Sequence, residues 1–184
     1  MEKLLNSAIE SILNNNKGTV SIAIQQRAKF EGWLKFELAH ELKKNYADTV
    51  VEYYFPSINA HVDIYSNQSL TELKTSNTSY KIPNCKDATR PITKNVNDII
   101  SDINKLKSIN QKGSYKGAYI AFVMFPLNQK TTYQQHVNKI KGHIKTGKIV
   151  ETKITINGVD LLIFTAKVFQ CTKFSEIKKY RNKC

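Results

Sequence analysis

Cysteine, arginine and long apolar runs are all scarce in this chain. The three cysteines, Cys85, Cys171 and Cys184, are odd in number, far apart and form no Cys-x-x-Cys pair. They leave no basis for a disulfide framework or a cysteine-ligated zinc site. No apolar run approaches the ~18–20 residues that a membrane-crossing helix needs. The opening Met1-Glu2-Lys3-Leu4-Leu5-Asn6 lacks the apolar core of a signal peptide. Together these absences lead us to expect a soluble, reduced, cytoplasmic protein without a membrane partner. His40, His61, His136 and His143 show no His-Glu-x-x-His spacing, and neither a Walker A sequence nor a Gly-x-Gly-x-x-Gly loop occurs.

What remains is ordinary for a globular protein: 184 residues, 41% hydrophobic and 23% charged. That length suits one domain with a substantial core, and neither repeats nor a linker divide it. The charge, however, is lopsided. Residues 1–78 carry 8 basic and 9 acidic side chains, whereas residues 79–184 carry 20 basic and 6 acidic, within a net charge of +13. A basic half of this kind points to a polyanion, because neutralising phosphates releases counterions. It also fits a compositional lysine bias, since only Arg27, Arg90 and Arg181 are arginine. That scarcity removes the commonest guanine-reading side chain and leans readout towards shape, backbone or Lys, Asn and Gln.

Hydrophobic periodicity supplies the elements. Leu4, Leu5, Ala8, Ile9, Ile12 and Leu13 predict a helix that ends at Asn14-Asn15-Asn16-Lys17-Gly18. Residues 20–24 read equally as a strand or as the start of a second helix, which covers at least 28–44 with Leu34, Leu38 and Leu42 as its stripe. Residues 50–55, 60–65 and 70–75 alternate as three strands. A loop over 76–94 leads to a helix carrying Val96, Ile99, Ile100, Ile103 and Leu106, with Thr93 or Asn95 as its N-cap. The apolar run Ala118 to Phe125 is a buried strand. Another helix follows, marked by Tyr133, Val137, Ile140 and Ile144, and Asn157-Gly158 joins the strands 149–156 and 159–168 into a hairpin. The order implies a mixed α/β (α+β) sheet flanked by helices.

The chemistry concentrates at His61-Val62-Asp63 and Leu70-Thr71-Glu72-Leu73-Lys74. Residues i and i+2 of a strand share a face, so Glu72 and Lys74 emerge together while Leu73 points into the other layer. A short turn joins the strands and can bring Asp63 beside Glu72. Two converging carboxylates suit a hard cation such as Mg²⁺. The ammonium of Lys74 can orient or deprotonate a water, or stabilise a pentavalent phosphorane, as phosphodiester hydrolysis requires. Acid-x-Lys also occurs at Glu41/Lys43, Glu151/Lys153 and Glu176/Lys178, but only Glu72/Lys74 has an acid at the end of the preceding strand.

This helix–strand–strand(Asp)–strand(Glu-x-Lys)–helix–strand order resembles the PD-(D/E)xK nuclease superfamily, with its restriction-endonuclease-like fold, over roughly residues 28–125. Val62 replaces the Pro of the motif. The resemblance implies a single nuclease-like domain over 1–184, with a basic C-terminal part from 126. It further implies a Mg²⁺- or Mn²⁺-dependent DNA endonuclease in which Asp63, Glu72 and the Leu73 carbonyl bind metal and Lys74 positions water. The family also draws a Glu from its first core helix, where Glu31 and Glu37 compete. On an ideal helix Leu34, Leu38 and Leu42 lie at about 300°, 340° and 20° from Glu31, which places Glu31 inside the apolar stripe and Glu37 at its edge. We therefore prefer Glu31, against the alternative of a Glu31–Lys35 salt bridge.

Lys81, Lys86 and Arg90, in the loop after the motif, and Lys139, Lys141 and Lys145, on the polar side of the later helix, are the candidate DNA contacts. Cutting both strands of a duplex with one site per chain implies a homodimer. A resolvase, a repair nuclease, an RNA-directed nuclease, and a non-catalytic nucleic-acid-binding or regulatory protein on the same fold all share these features.

Overall fold

A computed structural model describes residues 1–56, 59–87, 91–110, 115–128, 132–144 and 147–169. Within these residues six strands form one mixed sheet in the order β1-β2-β3-β4-β6-β5. They are β1 (Val50–Phe55), β2 (Ala60–Ser66), β3 (Ser69–Asn77), β4 (Gly117–Phe125), β5 (Ile149–Ile156) and β6 (Val159–Phe169). Only β3 and β4 run parallel. Their connection crosses through α4 (Ile92–Asn110), as a parallel pair requires. The remaining helices are α1 (Glu2–Asn15), α2 (Lys17–Gln26), α3 (Glu31–Lys43) and α5 (Tyr133–Lys141).

The period-2 pattern of the strands divides the core in two. On β4, Tyr119, Ala121, Val123 and Phe125 join α1, α2 and α3 in one cluster. Ala118, Ile120, Phe122 and Met124 join α4 and α5 in the other. Every residue of β4 is therefore buried, which explains its unbroken apolar run. Phe122 stacks on Phe164 of β6 at 4.6 Å between ring centroids. Asn157, at φ 48°, and Gly158, at φ 78°, turn the β5–β6 hairpin with both residues left-handed. Among the described residues no helix is long and apolar enough to cross a membrane.

Two sequence expectations need correction, and one open choice is resolved. The first helix ends at Asn15, within the expected stop at residues 14–18. A separate helix, α2, then buries Val20 and Ile24 four residues apart, so residues 20–24 are helical. α3 begins at Glu31, because Arg27 takes a left-handed φ of 53° and closes α2. α4 begins at Ile92, directly after Pro91, so Thr93 and Asn95 lie inside its first turn. The Asn95 side chain donates to the carbonyl of Asn77 at 2.8 Å instead of capping. The basic stretch after residue 169 lies outside the described residues.

α3 is anchored by one stripe only: Leu38 is fully buried, whereas Phe36 is 61% exposed. Leu38→Ala should cost about 2–5 kcal/mol and lower the urea midpoint. Phe36→Ala should stay within about 0.5 kcal/mol of wild type. Equal losses at both positions would contradict this placement of the helix.

Candidate functional site

The β2–β3 ladder runs from Ser66/Ser69 to Ile64/Thr71 and then stops. Beyond that point the edge amides of β3 lack a strand partner, and an unmet buried N–H is costly. Carboxylates take them. The N–H of Leu73 donates to Asp63 Oδ2 at 2.8 Å, and the N–H of Thr75 donates to Glu31 Oε2 at 3.2 Å. Since a strand residue sends its N–H and C=O to the same edge, the Leu73 carbonyl faces the side of Asp63.

The other flank of Asp63 is irregular as well. The β1–β2 register passes from Val51/Ile64 to Tyr53/Val62, skipping Glu52 and Asp63. Glu52 has a left-handed φ of 51°. Val62 and Ile64, two residues apart, pack into opposite core clusters. β2 therefore turns over at Asp63, behaving as strands do at a bulge.

α3 is pinned at the same place. The Phe30 N–H donates to Thr75 Oγ1 at 3.2 Å, and Glu31 follows as the first residue of the helix. One turn on, Lys35 bridges the two residues that the register skips. Its Nζ lies 3.4 Å from Asp63 Oδ1 and also pairs with Glu52. The expected alternative of a Glu31–Lys35 bridge is thus overturned, because Glu31 Oε1 pairs instead with Lys74 Nζ at 3.1 Å. Glu37 forms no ion pair among the described residues.

Glu72 and Lys74 do share the α4 face of the sheet, as expected. Lys74 Nζ also lies 3.3 Å from Asp102 Oδ2, and Lys105 Nζ lies 2.5 Å from Glu72 Oε1. Both contacts are ion pairs without hydrogen-bond angles, so Glu72 Oε1 and Asp102 Oδ2 are buried oxygens that meet only an ammonium charge. Lys105 also donates to the His61 carbonyl at 3.0 Å. Burial alone would lower the pKa of Lys74, but the charges of Asp102, Glu31 and Asp63 outweigh it and hold the ammonium well above its ordinary value. These carboxylates hold Lys74 as the ammonium, a form that suits charge stabilisation and water orientation. An open cleft of about 470 Å³ lies over Glu31, Lys74 and Asp102.

Sequence reasoning missed Lys35, Asp102 and Lys105 as members of the site. Asp102 carried a signal. On an ideal helix it falls at about 300° from Ile99, between Ile109 at about 280° and Leu106 at about 340°, and a carboxylate inside an apolar stripe needs a partner.

The predicted DNA contacts scatter. Lys81 is exposed, and Lys86 lines a cleft beside the site. Lys139 donates to Asn97 Oδ1 at 3.2 Å. Lys141 pairs with Glu151 at 2.6 Å and is not a free cation. Arg90 and Lys145 lie outside the described residues. Among the described residues no group of three or more His, Cys, Asp or Glu side chains is arranged to hold a metal ion. No family model, curated protein or solved structure matches the chain.

Burial above all, and then the charges of Asp63 and Asp102, push the Glu72 carboxyl up to about 9 against the pull of Lys105; its unperturbed value is 4.5. Between those values the unfolded chain releases a proton that the folded chain keeps. This contribution to stability is full below about pH 4.5 and is lost as pH rises towards 9. In EDTA, Glu72→Gln should flatten the fall in urea stability that wild type shows between pH 5 and pH 9. Parallel pH profiles for the two proteins would contradict this environment for Glu72.

Proposed function

We propose that this chain is a divalent-metal-dependent nuclease of the PD-(D/E)xK kind, on a restriction-endonuclease-like fold, that hydrolyses phosphodiester bonds in DNA. The observation that carries this reading is the fork in the sheet. Asp63 is held by the Leu73 amide where β2 leaves β3, with Glu72 and Lys74 on the strand it leaves. Those are the positions whose residues resemble the PD-(D/E)xK motif.

The donor chemistry fits a small hard cation. Mg²⁺ commonly uses one or two protein carboxylates, with waters and substrate phosphate completing its shell, so a cage of three acids is not required. Glu72 Oε1 is buried without a hydrogen bond, and Lys105 stands against it where a cation is favoured. Asp63 and Glu72, with the Leu73 carbonyl, are the residues that would hold the ion. A bound Mg²⁺ or Mn²⁺ supplies Lewis acidity at the phosphoryl oxygen.

The chain's own side chains do the rest. Lys74, kept charged by Glu31 and Asp102, places positive charge where the phosphoryl group gains negative charge and orients the attacking water. Glu31 is a positioning residue: it fixes Lys74 through one oxygen and the β3 backbone through the other. Cleavage of both strands calls for two copies of the chain.

One observation favours a second reading. Lys35, Lys74 and Lys105 already neutralise much of the carboxylate cluster. A nucleic-acid-binding or regulatory protein that keeps the fold without the reaction would have such a balanced cluster.

Incubation of the purified protein with plasmid DNA separates the two. Nicking or linearisation is expected with Mg²⁺ or Mn²⁺ and none with EDTA. Asp63→Ala should lower the rate by at least ~10²-fold, comparable to removing other transition-state stabilising groups. An Asp63→Ala protein as active as wild type would end the proposal.

A further inference from the structure

A second cleft, of about 480 Å³, opens beside the carboxylate cluster. Lys29 and Asp98 line both, so the two adjoin. Its floor is Arg27, which is only 8% exposed. The guanidinium carries five N–H donors. It donates to the Thr78 carbonyl at 2.6 Å and to the carbonyls of Tyr80 and Lys86. Carbonyls satisfy hydrogen bonds but leave the charge whole, and no carboxylate among the described residues forms an ion pair with Arg27. A buried cation without a counterion is costly, and an anion in the cleft relieves that cost.

The walls fit the same ligand. Lys29, Lys86 and Lys94 line the cleft, are exposed, and make no ion pair among the described residues. Asp87 and Asp98 also line it, which leaves four cations against two carboxylates. The floor is also firmly held. Asn77 Nδ2 donates to the Arg27 carbonyl at 2.6 Å, and Asn95 Nδ2 donates to the Asn77 carbonyl at 2.8 Å. This chain of bonds ties the end of α2, the end of β3 and the first turn of α4 together.

We propose that this cleft is a phosphate subsite, in which Lys29 and Lys94 over the Arg27 floor hold a phosphate group of the nucleic-acid strand next to the one positioned for cleavage. The assignment rests on the nuclease reading for the identity of the strand, and on the uncompensated charge of Arg27 for the ligand chemistry. The bound group is either an internal phosphodiester or a terminal phosphate monoester.

Arg27 holds a loop, and its replacement risks unfolding it, so the test uses the exposed pair Lys29→Ala/Lys94→Ala. Binding is measured in EDTA by fluorescence anisotropy on labelled oligonucleotides with a 5′-phosphate or a 5′-hydroxyl, and by competition with closed circular DNA. Lys3→Ala/Lys17→Ala, which removes the same charge at the starts of α1 and α2, serves as the control. The cleft variant should bind about 10-fold more weakly. Its plot of log K against log salt should flatten by roughly 1.4–1.8, since each phosphate contact contributes about 0.7–0.9, while the control stays at the wild-type values. A loss confined to the 5′-phosphorylated oligonucleotide identifies a terminal monoester, and a loss on circular DNA as well identifies an internal phosphodiester. Unchanged affinity and salt slope, or the same loss in the control, would overturn the subsite. If the variant binds as wild type does while wild type cuts DNA, the subsite fails and the nuclease reading stands. If binding depends on the two lysines but wild type never cuts with Mg²⁺ or Mn²⁺, the nuclease reading fails and the subsite stands.

Discussion

The amide of Leu73 is donated to a side chain instead of a neighbouring strand, and much of the site follows from that bond. A sheet that stayed zipped past Ile64/Thr71 would bring the β2 backbone to the Leu73 amide and leave Asp63 an ordinary side chain on one face. With Asp63 Oδ2 in the place of a ladder carbonyl, β2 peels away and turns over, as the opposite packing of Val62 and Ile64 records. Glu31 repeats the substitution at the amide of Thr75. Two carboxylates are thereby fixed along one strand edge by backbone bonds, which position them more rigidly than side-chain contacts alone.

Fixing acids this closely is electrostatically demanding, and the surrounding helices answer it. α3 contributes Lys35, α4 contributes Lys105, and β3 contributes Lys74. Glu72 and Asp102 each keep a buried oxygen that meets a lysine ammonium as an ion pair and lacks a hydrogen bond. Strong perturbation of titratable groups in a cleft is a recognised mark of functional sites, although structural ion networks also produce it. In the adjoining cleft Arg27 is buried among carbonyls, and cations outnumber carboxylates. A carboxylate cluster beside such a cleft offers the two features that a metal-assisted reaction on a phosphate backbone would use.

Much of this was legible in the amino-acid sequence, for physical reasons. The strand alternation around Asp63, Glu72 and Lys74, the apolar run of β4 and the Asn157-Gly158 turn are local signals, and each landed on the expected element. Glu31 was found because a carboxylate in an apolar stripe demands a partner. The same test applied to α4 would have found Asp102. Lys35 and Lys105 were not legible, since a lysine beside a helix stripe looks the same whether it meets solvent or a carboxylate from a distant strand. The break between α2 and α3 was also missed. It depends on the left-handed Arg27, whose guanidinium bonds to residues more than fifty positions away. Charge counting located a basic half but not a basic surface, because it could not foresee that Lys141 would be paired with Glu151.

The proposed function requires a divalent cation at the fork beside Asp63. Crystals soaked in MnCl₂, with anomalous differences recorded at the manganese edge, test this without any reference to activity. A peak is expected within a bonding distance of about 2.0–2.2 Å from carboxylate oxygens of both Asp63 and Glu72, with the Lys105 ammonium drawn away from Glu72. A fully soaked crystal with no peak at the fork, and Lys105 still in contact with Glu72, would contradict it.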